Sequence, residues 1–184
     1  MVDNYDSFTH NLKHYLEGFD AQVDVVRNNE INLDAVSDYD KIVLSPGPGL
    51  PKQAGQQNEL LNKFVLQKQI LGVCLGFQAL VEYFGGTIFN QEIVKHGVAE
   101  NCNFDTQSKL FSNLPACFKV GLYHSWAANS EKFPADLKIT AQLDNNVVMA
   151  FEHKTLPIVG VQFHPESILT ENGKRIIENF LVRF

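Results

Sequence analysis

A cysteine lies where an apolar run passes into a helical pattern, with a glycine two residues away on each side. The segment is Gly72-Val73-Cys74-Leu75-Gly76. Small flanking residues permit the sharp, strained strand-to-helix turn that presents a nucleophile. At a helix N-terminus the dipole favours a thiolate, and nearby backbone N–H groups can receive an oxyanion. The pattern indicates acyl transfer through a thioester; the alternative is a buried core cysteine ending a central strand.

A histidine and a glutamate that could complete such a site flank one proline, as His164-Pro165-Glu166. Proline fixes its own φ and favours an extended conformation at the residue before it, so the flanking side chains should point to the same side. The carboxylate could then hold one imidazole nitrogen while the other faces the cysteine. Taken alone, the tripeptide is also typical of a surface turn.

A rigid turn, Ser45-Pro46-Gly47-Pro48-Gly49, follows an apolar strand pattern directly. Open α/β sheets bind ligands at this edge, and glycine lets a backbone N–H approach a reacting carbonyl closely. The turn has too few glycines and no lysine for a phosphate loop. A simple strand-to-helix connection is the other interpretation.

These segments must be held together by elements whose patterns alternate between strand and helix in the first half. A helical spacing over Ser7–Phe19 has Asp6 or Ser7 as its cap, and Gly85-Gly86 ends a later helix. The other predicted elements are the strands Ala21–Val26, Lys41–Ser45 and Gln69–Cys74 and the helices Gln56–Leu66 and Leu75–Phe84. Such alternation predicts a parallel sheet with helices on both faces.

The second half is rich in β patterns and ends in a helical segment at Asn172–Phe184. The β patterns cover Thr87–Phe89, Val98–Phe104, Phe118–Leu122, Leu137–Gln142, Val147–His153 and Ile158–Gln162. We predict a three-layer α/β fold, an open and mostly parallel sheet with an antiparallel extension, as one domain over residues 1–184. Only Met1 and Val2 precede Asp3, which leaves little chain for a first strand and suggests a late or truncated start.

Composition excludes several functional classes. With 20% charged residues and a net charge of -6, the chain has no general attraction to nucleic acid or anionic membranes. Its apolar runs are strand-sized, far below the roughly 18 residues of a membrane span, and no leader precedes them. A cytoplasmic location is therefore expected.

Two further cysteines and five further histidines have no spacing typical of a metal site. We expect reduced thiols throughout, with Cys102 and Cys117 as inert structural residues. His10 and His14 should line a solvated helix face. No metal or organic cofactor is expected.

The motifs at residues 45–49, 72–76 and 164–166 together resemble those of the class I glutamine amidotransferases, in the family's order and across nearly the whole chain. The segments 45–49 and 3–8, the latter Asp-Asn-Tyr-Asp-Ser-Phe, most resemble anthranilate synthase component II and the glutamine amidotransferase component of aminodeoxychorismate synthase. The resemblance implies a flavodoxin-like fold.

The resemblance also implies roles. Cys74 would attack the carboxamide of L-glutamine, His164 would pass a proton to departing ammonia, and Glu166 would complete the triad. The N–H groups of Gly47 and Leu75 would form the oxyanion hole. Further residues matching the family's glutamine-binding positions are Pro48, Gly49, Gln78, Ser125 and Trp126.

Ammonia would pass to a large chorismate-binding synthase subunit, for tryptophan synthesis through anthranilate or for folate synthesis through aminodeoxychorismate. Any magnesium would belong to that subunit's chorismate site. Two alternatives remain open from sequence: a stand-alone cysteine hydrolase of γ-glutamyl compounds, and a non-catalytic regulatory module that keeps the fold.

Overall fold

The computed structural model describes residues 1–184 apart from the side chain of Ile93. Strands and helices alternate in the first half. They are β1 (Val2–Asp3), α1 (Thr9–Glu17), β2 (Val26–Arg27), β3 (Lys41–Leu44), α2 (Gln57–Phe64), β4 (Gln69–Val73) and α3 (Leu75–Tyr83). The second half contains β5 (Ile88–Phe104), β6 (Cys117–Ala128), β7 (Leu137–Leu143), β8 (Val148–His153), β9 (Ile158–Val161) and α4 (Gly173–Arg183).

The described residues form one nine-stranded sheet in the order β2-β1-β3-β4-β9-β8-β7-β5-β6. The pairs from β2 to β9 are parallel, and those from β9 to β6 are antiparallel. The predicted α/β class, with its antiparallel extension, is confirmed. Because β9 is inserted beside β4, the segments that follow these two strands leave the sheet at the same edge.

Two hydrophobic clusters cover the two faces of the sheet, and β4 contributes to both. Ile70 packs with α2 and α3 on one face, whereas Leu71 packs with α1 and α4 on the other. Alternate side chains of a strand point to opposite faces, so a strand buried on both sides reads as a continuous apolar run. This burial fixes the position of the residue that follows β4.

The first part of the sheet is shorter than predicted. We expected a strand over Ala21–Val26, but β2 comprises only Val26 and Arg27. β1 pairs Val2 with Val26 and Asp3 with Arg27, and before this register the Met1 amino group donates to the Asp24 carbonyl at 2.7 Å without extending the strand. The strand prediction for those residues was wrong because a strand needs a partner as well as a suitable pattern.

The long hairpin of β5 and β6 was underestimated. Its strands continue through residues 90–97, which are largely polar, and 123–128, which mix polar and apolar side chains; both were left out of the predicted strands. Register shifts between Asn90 and Lys95 and between His96 and Val98 interrupt the pairing. Gly97, with φ +71°, lies in the second irregularity, as is usual for a bulge. Such bulges hide the two-residue period on which the prediction relied.

Smaller predictions divide similarly. Gly85, with φ +88°, ends α3 as expected. The predicted cap of α1 was wrong: Phe8 is the N-cap, and the Asp6 carboxylate instead accepts a bond from the Phe8 N–H at 2.8 Å. Cys102 is buried, but Cys117 is exposed, so a buried structural role fits only the first. None of the described helices combines the length and apolar character needed to cross a membrane.

Candidate active site

Cys74 lies at the turn between β4 and α3. Its N–H donates to the Val161 carbonyl on β9 at 2.8 Å, and its own carbonyl accepts from the Gln78 N–H at 3.0 Å. The turn forces φ +52° and ψ −99° on Cys74, a conformation that a non-glycine residue adopts only at a cost of about 1–3 kcal/mol. The surrounding structure holds the thiol on a strained corner at the N-terminus of a helix.

The flanking glycines permit this corner. A Cβ at Gly72 would meet the Gly76 carbonyl oxygen at 2.5 Å, and a Cβ at Gly76 would overlap the Leu44 carbonyl oxygen. Both contacts are with backbone, which cannot move aside as a flexible side chain can. The Gly-x-Cys-x-Gly spacing therefore reflects the close packing of α3 against β3 and β4.

His164 and Glu166 face each other after β9. The imidazole Nδ1 lies 2.7 Å from Glu166 Oε1, and the two residues are only 2% and 3% exposed. The His164 N–H donates to the Gly121 carbonyl on β6 at 3.1 Å, and the Thr170 hydroxyl donates to the His164 carbonyl at 2.6 Å. The geometry predicted for this tripeptide is confirmed.

The second imidazole nitrogen of His164 is directed into the site. It is buried, and no described residue meets hydrogen-bond geometry with it. Burial opposes a charge on this ring, but the neighbouring Cys74 sulfur, together with Glu166, raises the pKa of His164 well above its ordinary value. Cys74, His164 and Glu166 therefore form one electrostatically coupled group.

The predicted oxyanion loop begins directly after β3 and packs against the N-terminal segment. A Cβ at Gly47 would meet both the Cβ and the carbonyl oxygen of Asn4 at 2.5 Å, and Leu75 Cδ2 at 2.9 Å. The Asn4 N–H donates to the Ser45 hydroxyl at 2.8 Å, and the Asn4 side chain donates to the Ser45 carbonyl at 2.9 Å. These contacts bring Gly47 beside Leu75, the residue after the cysteine.

The remaining predicted binding residues lie on three elements. Pro48 and Gly49 are exposed in the loop after β3, and Gly49 has φ +79°. Ser125 and Trp126 are half-buried on β6. Gln78 is buried one turn into α3, and its amide nitrogen donates to the Trp126 carbonyl at 3.0 Å. The structure thus joins Gln78 to Trp126.

An aromatic group covers the histidine and was not predicted. Tyr123 packs its ring 4.9 Å from the His164 ring, and Phe8 packs at 5.7 Å. The Tyr123 hydroxyl lies 2.9 Å from the Ser167 hydroxyl. These rings exclude water from one side of the imidazole. Strand β6 supplies Tyr123 from residues 123–128, which were not predicted as part of a strand.

His124, next along β6, was treated as an ordinary histidine but is buried. Burial lowers the pKa of His124 to about 4, against a hydrogen bond with the Trp126 carbonyl that acts in the opposite direction. The atoms of that bond, Nδ1 and the Trp126 oxygen, are 2.8 Å apart. His124 is therefore neutral near pH 7 and adds no charge to the site.

Side chains that bind metal ions in proteins are chiefly those of His, Cys, Asp and Glu. Among the described residues, no three His, Cys, Asp or Glu side chains are grouped so that they could hold a metal ion.

Known proteins resemble this chain along nearly its whole length. The chain is 44% identical over 181 residues to a Haemophilus influenzae protein named as a candidate anthranilate synthase component II, covering 98% of this chain and 94% of that one. It is 39% identical to the aminodeoxychorismate/anthranilate synthase component 2 of Bacillus subtilis, covering 98% and 94%.

The fold is likewise that of solved structures. A Thermoplasma acidophilum protein, described as a candidate component of GMP synthase, superposes with a TM-score of 0.88 at 27% identity, covering 98% of this chain and 89% of that one. Residues 1–184 match a family model described as "Glutamine amidotransferase class-I". The chain is a member of the class-I glutamine amidotransferase family.

Proposed function

We propose that this chain is the glutaminase subunit of a chorismate-using synthase, in which Cys74, His164 and Glu166 hydrolyse L-glutamine and release ammonia for the partner. The observation that carries the proposal is the buried contact of Glu166 with His164 at 2.7 Å, on a ring electrostatically coupled to Cys74. This is the arrangement of nucleophile, base and orienting acid that acyl transfer requires.

Each member of the group has a distinct role in the proposed reaction. His164 takes the thiol proton, and the Cys74 sulfur attacks the carboxamide carbon of glutamine. His164 then donates that proton to the leaving nitrogen, the C–N bond breaks, and ammonia departs from a thioester. Water, deprotonated by His164, attacks the thioester and releases glutamate. Glu166 accepts a bond from Nδ1, which orients the ring and stabilises the imidazolium.

The negative charge that develops on the carboxamide oxygen needs hydrogen-bond donors. We assign these to the backbone N–H groups of Gly47 and Leu75. The close approach of Gly47 to Leu75 Cδ2, which leaves no room for a Cβ, supports the pairing of these residues. Preorganised donors of this kind contribute about 10²–10³ in rate.

The amino-acid end of glutamine would lie among Pro48, Gly49, Gln78, Ser125 and Trp126. Gln78 uses its amide nitrogen for the Trp126 carbonyl, so its carbonyl oxygen is the atom suited to accept from the substrate's ammonium group. Ser125 is half-buried and can serve the carboxylate through its hydroxyl.

The partner is proposed from relatives. The Haemophilus influenzae and Bacillus subtilis proteins are named component II and component 2 of their synthases, and the second name covers both aminodeoxychorismate and anthranilate. Ile168, two residues beyond Glu166, is 97% exposed, which is consistent with a contact surface beside the triad. We place the complex in the cytoplasm, with ammonia entering anthranilate, aminodeoxychorismate or both. A stand-alone hydrolase and a regulatory module are not favoured.

Affinity labelling with the diazo-ketone analogue of glutamine tests the proposal. The chain would be incubated alone, with an anthranilate synthase large subunit, or with an aminodeoxychorismate synthase large subunit, beside a Cys74→Ser control. We expect mass spectrometry to find one adduct, on Cys74, formed faster with the cognate subunit. An adduct that persists in Cys74→Ser, or equal labelling of Cys117, would contradict the proposed nucleophile. Acceleration by neither subunit would contradict the proposed partner.

A further inference from the structure

Gln162 is a fully buried polar residue beside the candidate nucleophile, between the end of β9 and the triad histidine. Its exposed fraction is 0%. Its backbone N–H donates to the Met149 carbonyl on β8 at 2.8 Å, which fixes the main chain. Its side-chain nitrogen Nε2 lies 3.6 Å from the Cys74 sulfur, within hydrogen-bonding range of that atom. No step of the proposed reaction uses this side chain.

The orientation of the Gln162 amide follows from its neighbours. The Trp126 carbonyl can only accept a hydrogen bond, so the amide group that meets it at 3.0 Å must be the nitrogen of Gln78. The same Gln78 nitrogen lies 3.1 Å from the other side chain, so Gln162 must present its oxygen there. Gln162 is then left with its nitrogen facing the Cys74 sulfur.

A nitrogen donor beside a sulfur distinguishes the two protonation states of that sulfur. A thiolate is a good acceptor from an amide N–H, whereas a neutral thiol is a poor one, so the contact favours the anion. We propose that Gln162 is a positioning residue that holds the Cys74 sulfur as a thiolate directed into the site, with Gln78 and the Trp126 carbonyl setting the direction of its donor. This inference rests on the proposed function of Cys74 as the nucleophile.

Other groups act on the same sulfur and must be separated from Gln162 in any test. Among the described residues, His164 interacts with the sulfur directly, while Glu166 and His124 interact electrostatically with His164. Substituting Gln162 by methionine leaves all three ionisable groups in place. Methionine has nearly the length of glutamine and fills a buried site well, but it has no N–H donor.

The test measures the rate at which iodoacetamide alkylates Cys74 as a function of pH, because only the thiolate reacts. The protein would be Gln162→Met in the full chain, with wild type for comparison and Gln142→Met as the matched control. Gln142 lies on β7, and among the described residues its side chain bonds only the Asn146 carbonyl. We expect Cys74 alkylation in Gln162→Met to be about tenfold to hundredfold slower than in wild type at neutral pH, because the thiolate has lost a hydrogen-bond donor. Gln142→Met should follow wild type.

The outcomes separate this inference from the proposed function. An unchanged profile in a folded Gln162→Met protein would overturn the role of Gln162 and leave Cys74 as nucleophile. If iodoacetamide alkylates Cys74 in the wild-type protein no faster than it alkylates the exposed Cys117, the proposed function is overturned, and the inference with it.

A measurement on the wild-type chain covers the case in which Gln162→Met does not fold. In protein labelled with ¹⁵N at glutamine side chains, the Gln162 amide resonances should move with the same inflection as Cys74 alkylation. Resonances that stay fixed through that inflection would overturn the proposal.

Discussion

The backbone of Gly173 lies against the carbonyl group of Pro165, so that a Cβ at residue 173 would overlap the carbonyl oxygen. Pro165 is the residue between His164 and Glu166. The first turn of α4 therefore supports the peptide that spaces the base from its orienting carboxylate, and the glycine allows the two backbones to meet.

Substituting Gly173 by alanine should displace that peptide. The overlap is with a backbone atom, so the two main chains must separate, and we expect about 1–3 kcal/mol lower stability and about a hundredfold lower kcat for glutamine hydrolysis. Urea unfolding and steady-state kinetics with the large subunit would measure both. Gly18→Ala is the control, because a Cβ there meets its nearest atoms at 3.4 Å. Equal effects in the two variants would contradict the argument.

The ionisation of His164 should make stability depend on pH. Because its pKa in the folded chain lies above the unfolded value of 6.5, the folded state retains a proton that the unfolded state loses. The resulting stabilisation is full below that value and is lost as pH rises through the folded pKa. Relative to His164→Gln, the wild-type free energy of unfolding should fall as pH rises above 6.5. Urea titrations across this range would measure the difference.

Cys74→Ala tests the cause of that shift. Without the sulfur, the pKa of His164 should fall, so the loss of stability above pH 6.5 should be smaller and should be complete at a lower pH. Imidazole NMR resonances report the pKa directly. An unchanged pKa of His164 would show that the sulfur is not what raises it. His10→Gln, on the exposed face of α1, is the matched control for the His164→Gln variant.

His124 should behave in the opposite way. Burial lowers its pKa to about 4. As pH falls from 6.5 towards 4, His124 therefore gains a proton in the unfolded chain but stays neutral in the folded chain. We expect His124 to contribute to destabilisation in this range. Imidazole ¹⁵N spectra at pH 7 should find a neutral ring with its proton on Nδ1, the atom bonded to the Trp126 carbonyl. A protonated ring at pH 6 would contradict this.

Gly47→Ala should separate oxyanion stabilisation from nucleophile reactivity. The added methyl group would meet Asn4 at 2.5 Å and push the loop away from Leu75. We expect about 10²–10³ lower kcat for glutamine hydrolysis, with little change in Cys74 alkylation by iodoacetamide. Parallel loss of both rates would instead indicate a general disturbance of the turn. Gly18→Ala again serves as the reference for a tolerated methyl group.

Local geometry was predictable where one residue dictates it. Proline between His164 and Glu166 was enough to predict that their side chains face each other, and glycines around Cys74 predicted a tight turn. The approach of these two segments in space was a weaker inference. It depends on the insertion of β9 beside β4, a pairing of residues more than eighty positions apart that no local pattern encodes.

Other features depend on partners that sequence reasoning could not see. Residues 21–25 have a strand pattern, yet they lie outside the two-residue register in which β1 pairs Val2 with Val26 and Asp3 with Arg27. Gln162 gave no signal, since a single glutamine in an apolar run has no periodicity, and its role depends on Gln78 from another element. The burial of His124 was missed as well, because residues 123–128 were not predicted as part of a strand. The catalytic roles themselves stay predictions.

The φ of +52° at Cys74 has a consequence for engineering. Glycine adopts this conformation without strain, so Cys74→Gly should raise the melting temperature while abolishing hydrolysis. A library selected for heat resistance alone would then enrich inactive molecules at this one position. Thermal screens of this enzyme need a simultaneous requirement for ammonia production, which retains the strained Cys74.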